Sequence, residues 1–238
     1  MAFYSDFAGH YEKVFPYRET VFEFLDAHLP RGGRLLDVGC GTGRYCHELG
    51  RTGRQCLGID LDPGMITEAE RSYAEIDYRI LGMEEIQLLP AGQFNGVFCI
   101  GNVLPHLQTA DLPGFLQTVR RLLTPGGAWI FQTVNFDPIL NRREHEFPEL
   151  VFPEENVVFR RRYAAITSSE IKFRTSLDIR GFQVFEGEVS LYPQTSADYL
   201  DRHREAGFVL QGHYADFAGK PFDPDQDSGS VFVFNDQV

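Results

Sequence analysis

Three glycines at alternate positions, Gly39, Gly41 and Gly43, follow Asp37 at the end of the apolar run Leu35–Leu36. A second carboxylate, Asp60, closes the next apolar run, which begins at Gln55. Glycine takes positive φ at little cost and carries no Cβ, so such a turn is tight and lets a ligand approach the backbone. If a helix opens directly after it, free N–H groups point at that ligand. A carboxylate at the end of the second strand is placed to accept hydrogen bonds from ribose hydroxyls. The pattern is that of a site for a nucleotide-like ligand.

Two ligand classes compete for this turn. A dinucleotide site spaces its glycines G-x-G-x-x-G. Here the third glycine comes one position early, and Arg44 and Tyr45 follow. Asp37 also sets a negative charge where a pyrophosphate would lie, which is unfavourable, whereas a sulfonium or ammonium group beside it is favourable. A cationic, phosphate-free cofactor with an adenosine and a charged tail fits better.

Other residues offer chemistry of their own. Gly101, Asn102 and His106 follow the apolar run Phe94–Ile100. An imidazole there is suited to taking a proton from a hydroxyl or amine, or else packs at a helix start. Arg160-Arg161-Arg162 is the one sharp basic cluster. It lies in an alternating stretch, so its three side chains cannot share a face, and it reads as a solvated strand surface or an anionic-substrate contact. Asp223-x-Asp225-x-Asp227 lacks the glycine and the final acid of a calcium loop, so no metal is expected. No Ser-His-Asp signature or phosphate-loop motif is present.

The elements that must position these groups alternate. Residues 5–29 read as helical with a break at Pro16, followed by strands at 34–38, 54–60, 77–81, 94–100 and 128–134. Helices are predicted from 43, from Asp62-Pro63 to about Ala74, and from Asp111 to Leu123, the last with one apolar face. Strands alternating with helices give an α/β fold with a parallel sheet. After Phe136 the pattern changes to an antiparallel meander at 156–165, 170–180 and 182–192. A helix from Ser196 to Ala206 and strands at 208–214 and 230–235 complete the chain.

On these residues the chain resembles the class I S-adenosylmethionine-dependent methyltransferases of small-molecule type. Leu35 to Gly43 is similar to their first motif, and Gly58-Ile59-Asp60-Leu61-Asp62-Pro63-Gly64-Met65 to their second. Phe94 to Ile100 resembles their fourth strand, and Leu122 to Gly127 the turn before the fifth. The resemblance implies a Rossmann-like, seven-stranded, mostly parallel sheet flanked by helices, with an antiparallel β meander inserted after the fifth strand. It divides one domain into an N-terminal helical lid (1–30), a cofactor-binding core (31–136), a substrate cover (137–193) and a final helix with two strands (194–238). The cofactor it implies is S-adenosylmethionine. Asp37, Gly39, Cys40, Gly41 and Gly43 would surround its methionine part, and Asp60 its ribose. Leu61 and Met65 would lie near the adenine, with Gly82, Met83 and Glu84 on its ring. Gly101 and Asn102 would line the reactive methyl. Gly82 departs from the family, which often has an aspartate there. Tyr11 resembles a tyrosine of the family's entrance segment, flanked here by His10 and Glu12, and Tyr4 would join it in closing the site. Arg142, Arg143 and His145 begin the insertion and reach the substrate pocket or lie in a solvated loop. The expected reaction is in-line methyl transfer to a small-molecule nucleophile. The alternatives are a cofactor-binding protein without transferase activity and a nicotinamide-dependent oxidoreductase.

Composition narrows the partners. The 34 acidic residues against 22 basic ones leave a formal charge of −12, a poor match for nucleic acid, which is held through Lys and Arg. No apolar run approaches a membrane span and no signal-peptide pattern opens the chain, so a cytoplasmic location is expected. Cys40, Cys46, Cys56 and Cys99 show no metal or disulfide spacing.

Overall fold

The computed structural model describes residues 5–236. A 3-10 turn at Ser5–His10 and a short helix α1 (Tyr11–Val14) precede α2 (Glu19–His28). The predicted N-terminal helix is therefore three pieces, because Pro16 cannot continue a helix and the chain stays non-helical until Glu19. Then β1 (Arg34–Val38), α3 (Arg44–Gly50), β2 (Gln55–Asp60), α4 (Pro63–Ser72), β3 (Asp77–Ile80), β4 (Phe94–Cys99), α5 (Leu112–Leu122) and β5 (Leu123–Val134) alternate. A second set of strands follows: β6 (His145–Glu146), β7 (Leu150–Phe152), β8 (Val157–Ile166), β9 (Ile171–Ile179) and β10 (Phe182–Leu191). The chain returns through α6 (Ser196–Glu205), β11 (Phe208–Tyr214) and β12 (Gly229–Asp236).

The main sheet has seven strands in the order β11-β12-β5-β4-β1-β2-β3. β1 to β5 are parallel, and β12 runs antiparallel between β5 and β11. The expected α/β sheet is thus present. β5 starts earlier than the predicted 128, because Leu123 already pairs with Phe94 and a bulge in β5, opposite Phe94 to Gly96 of β4, absorbs the Pro125-Gly126-Gly127 turn. α5 and α6 bury their apolar faces on one side of this sheet, with Phe115, Leu116, Val119 and Tyr199 against Trp129 and Phe131. α2, α3 and α4 cover the other side through Phe24, Leu25, Leu49 and Ile66. Asp62 caps α4 by accepting from the Gly64 and Met65 N–H groups, with Pro63 in the first turn. Thr195 and Asp198 form a capping box on α6. The Arg54 guanidinium is buried and pairs with Asp26 at 2.6 Å, tying α2 to the start of β2.

The predicted three-strand meander is a five-stranded antiparallel sheet. β6 and β7 both pair with β8 and are too short to show an alternation of their own. One end of its inner face packs Phe159, Leu177 and Phe185 against Ala8, Val14 and Met65. The other end packs Tyr163, Ile171 and Leu191 against Phe136 and Ile139, which follow β5. The second sheet therefore bridges the N-terminal segment and the carboxyl end of β5.

Candidate active site

Between β1 and α3 the chain turns on three glycines with φ of +78°, +53° and +79° at Gly39, Gly41 and Gly43. All three lie in the left-handed region that glycine adopts without strain. Two are also sterically obligatory: a Cβ on Gly39 would stand 2.5 Å from a Val103 methyl, and one on Gly43 would overlap the Tyr78 hydroxyl. Gly41 is different, for a Cβ there would be 3.5 Å from the Tyr11 ring, which forms a roof over the turn. The N–H groups of Gly39 and Cys40 bond to the Ile59 carbonyl at 2.8 and 2.9 Å, pinning the turn to β2.

Two carboxylates flank this turn. Asp60 Oδ2 accepts from the Gly41 N–H at 2.9 Å and Oδ1 from the Asp62 N–H at 2.9 Å. The Leu61 N–H also bonds this carboxylate, and the lone pairs that remain can accept from a ligand hydroxyl. Burial raises the Asp60 carboxyl above its ordinary range. Asp37 is 3% exposed, and burial pushes its carboxyl up to about 8. Its Oδ2 accepts from the Cys46 thiol at 3.4 Å, while Oδ1 is buried with no hydrogen-bond partner. A buried polar oxygen without a partner is costly and asks for a donor. A cationic ammonium group at the turn meets that need. The glycine cradle and this oxygen together fit the cofactor inferred from the sequence.

The remaining expected residues separate into groups. Cys40 turns its sulfur toward Gly58, so it meets the site through its backbone. Leu61 is 65% exposed and lies beside Gly82, where a Cβ would be 3.3 Å from it, so these two come together on the rim. Met65 is 2% exposed in the core under the second sheet, and therefore presents no open face to a ligand. The Gly82 N–H donates to Glu85 at 3.1 Å, so Glu85, not Glu84, closes that turn. Met83 packs on the main core and Glu84 is exposed. Gly101 has φ +83° with nothing within 4 Å of its Cβ direction, leaving open space at the end of β4. Asn102 adopts φ +63° and is engaged structurally: its Oδ1 accepts from the Val134 N–H at 2.8 Å, and its side chain also bonds the Tyr163 hydroxyl.

His106 sits in a short 3-10 turn after β4, and burial lowers its pKa to about 4. It is neutral near pH 7 and a weak base. His145 packs on Phe147 and Tyr163 and takes a 2.8 Å hydrogen bond from Arg142 at Nδ1. Arg142 and Arg143 are exposed outside that layer. Tyr4 lies outside the described residues. Asp227 bonds Lys220 and the Asp223 N–H, so the acidic loop is a self-capping turn.

Some positions were not singled out from sequence. Glu12 accepts from Thr42 at 3.1 Å and from Tyr73 at 3.1 Å, fixing α1 against the glycine turn and so placing Tyr11. Gln132 on β5 accepts from the Gly101 N–H at 2.8 Å. Neither stands in a motif. Two shallow depressions, lined by residues such as Gly33, Arg34, Gly53, Gln55 and Gln93, lie at the amino ends of β1 and β2, away from the turn. Ligands in such sheets bind at the carboxyl ends.

Comparison with known proteins agrees with this geometry. Residues 35–127 match the model of a methyltransferase domain. The ubiquinone biosynthesis O-methyltransferase of Xanthomonas axonopodis pv. citri is 35% identical over 121 residues, 49% of each chain. The chain thus spans about half the length of that relative. Its counterpart from Xanthomonas oryzae pv. oryzae is 27% identical over 200 residues, 75% of this chain and 79% of the other. Among solved structures, an S-adenosylmethionine-dependent methyltransferase from Clostridium acetobutylicum superimposes with a TM-score of 0.81 at 16% identity, covering 99% of both chains. An amino pentose methyltransferase from Micromonospora echinaspora, solved with S-adenosylmethionine bound, gives 0.70 at 20% identity and 95% coverage of each. At such identities these two likenesses concern the fold.

Proposed function

We propose that the chain is an S-adenosylmethionine-dependent methyltransferase and that it methylates a hydroxyl group of a small molecule. The observation that carries the cofactor half is the unpartnered, buried Asp37 oxygen under a glycine turn that Asp60 clamps from β2. Asp37 would hold the ammonium of the methionine part and Asp60 the ribose hydroxyls. Leu61 and Gly82 would flank the base. When bound, S-adenosylmethionine supplies a sulfonium-activated methyl group for in-line displacement.

The protein's own work is then to align, to exclude water and to hold a proton. Tyr11 covers the turn, and the second sheet, joined to Asn102 through Tyr163, stands beside the open space at Gly101. His106 receives the acceptor's proton. Its low pKa favours an oxygen acceptor. A hydroxyl that has gained a methyl is a strong acid until it loses its proton, so a weak neutral base suffices late in the step. An amine acceptor instead leaves an ammonium more basic than this imidazole, and proton transfer to His106 would run uphill. Relatives named as O-methyltransferases support the same reading.

The test is a screen of phenols, aliphatic alcohols and amines for release of S-adenosylhomocysteine. Turnover with hydroxyl compounds that falls by about tenfold to a hundredfold in His106→Ala supports the proposal. Turnover confined to amines, or unchanged in the variant, contradicts it.

A further inference from the structure

The inner face of the second sheet is apolar at both ends and polar in the middle. The register sets three rows across β8, β9 and β10: Phe159, Leu177 and Phe185; Arg161, Thr175 and Gly187; and Tyr163, Phe173 and Val189. The first and third rows join separate apolar clusters. The middle row brings a guanidinium and a hydroxyl side by side, and Gly187 adds no side chain.

Neither polar group is satisfied. Thr175 is 3% exposed and its Oγ1 has no hydrogen-bond partner, and the Arg161 Nε is likewise buried and unpartnered. No ion pair is formed by Arg161 among the described residues. Acids are not scarce, since the chain holds 34 of them. Adjacent Arg160, on the opposite face, pairs with both Glu149 and Asp178. Three aromatic rings surround Arg161, with its guanidinium carbon 5.3 Å from the Phe147 centroid, 5.9 Å from Phe15 and 6.0 Å from Phe159. A ring face attracts the cation, but it does not accept the in-plane N–H of Nε.

The row also borders the transfer site. Tyr163, the next inward residue on β8, bonds Asn102 at the end of β4. Phe15 packs on Tyr11 at 5.2 Å, and Tyr11 roofs Gly41.

We propose that Arg161 and Thr175 form an anion subsite of the acceptor pocket, taking a carboxylate on an acceptor whose body is aromatic or otherwise apolar. This rests on the methyltransferase reading above. One fixed cation with one hydroxyl matches a monoanion, and the guanidinium fork matches the two oxygens of a carboxylate. Phe15 and Phe147, which are only partly buried, would border the apolar body, with Phe159 closed off in the core behind them.

The experiment titrates benzoate, benzamide and phenyl phosphate into the protein saturated with S-adenosylhomocysteine, using the wild type, Arg161→Gln, Arg161→Lys and Thr175→Val. A charge-assisted fork predicts benzoate binding about tenfold or more tighter than benzamide. That margin should vanish in Arg161→Gln, survive in part in Arg161→Lys, and shrink in Thr175→Val, with affinity for S-adenosylhomocysteine unchanged. Equal binding of benzoate and benzamide, binding of neither, or benzoate affinity unaffected by Arg161→Gln would overturn the subsite. Preference for phenyl phosphate would overturn the carboxylate assignment. If Arg161→Gln fails to fold, the wild-type comparison and Thr175→Val decide. If S-adenosylhomocysteine itself does not bind, the methyltransferase reading fails. The benzoate comparison on ligand-free protein still judges the subsite separately.

Discussion

Asp37 holds its proton near neutrality because its carboxyl is buried and no cation among the described residues offsets that burial. Binding an ammonium there reverses that balance and ionises the group. Calorimetric titration of S-adenosylhomocysteine at pH 7, in buffers of different ionisation enthalpy, should therefore show release of up to about one proton, and binding should tighten from pH 6 to 8. Asp37→Asn should abolish both effects and weaken binding by about tenfold or more. Asp37, the glycines and Asp60 were legible from sequence because each answers a local demand of a turn or a strand end. Arg161 was not. Alternation separates it from Arg160 and Arg162, but which face turns inward depends on the register with β9 and on what packs beneath. Met65 was not placed by its position after Asp60, which suggested a ligand contact, because the packing of the second sheet over it is a long-range feature.

At the scale of elements, the β1–α3 turn is the critical joint. Gly39→Ala imposes a side chain at φ +78° and drives its Cβ into Val103. It should cost about 1–3 kcal/mol and depress the melting temperature by several degrees, together with loss of S-adenosylhomocysteine binding. Gly101→Ala is the contrast. Its φ of +83° is equally strained, but its Cβ meets nothing within 4 Å, so the lesion is one of strain without a clash and its effect on stability should be smaller. Elements with a full apolar period were readable from the chain, such as α5 with Leu112, Phe115, Leu116, Val119 and Leu122 buried along one face. β6 and β7, of two and three residues, were not, since they exist only through pairing with β8.

The whole molecule couples stability to histidine charge. His203 is buried among stacked rings, accepts from Trp129 Nε1 at 2.9 Å, and has its pKa lowered to about 3 by burial. His106 and His213 are lowered to about 4 by the same cause. In the unfolded chain each titrates near its ordinary value of roughly 6.5. The stability these neutral rings contribute is complete above that value and is lost as pH falls toward the folded pKa, because the unfolded chain takes up protons first. Asp37 acts oppositely, since its raised folded pKa favours the folded state as pH falls from about 8, and it offsets part of the loss. The balance predicts a melting temperature that drops between pH 6.5 and 4.5. Fluorescence of Trp129, the single tryptophan, reports it.

The central claim is the identity of the cofactor, and titration of S-adenosylhomocysteine and NAD into the same protein tests it most directly. Saturable binding of S-adenosylhomocysteine alone, weakened about tenfold or more when Asp60→Asn leaves one acceptor oxygen for the ribose, is the predicted result. Binding of NAD in preference, or of S-adenosylhomocysteine with no dependence on Asp60, would contradict it.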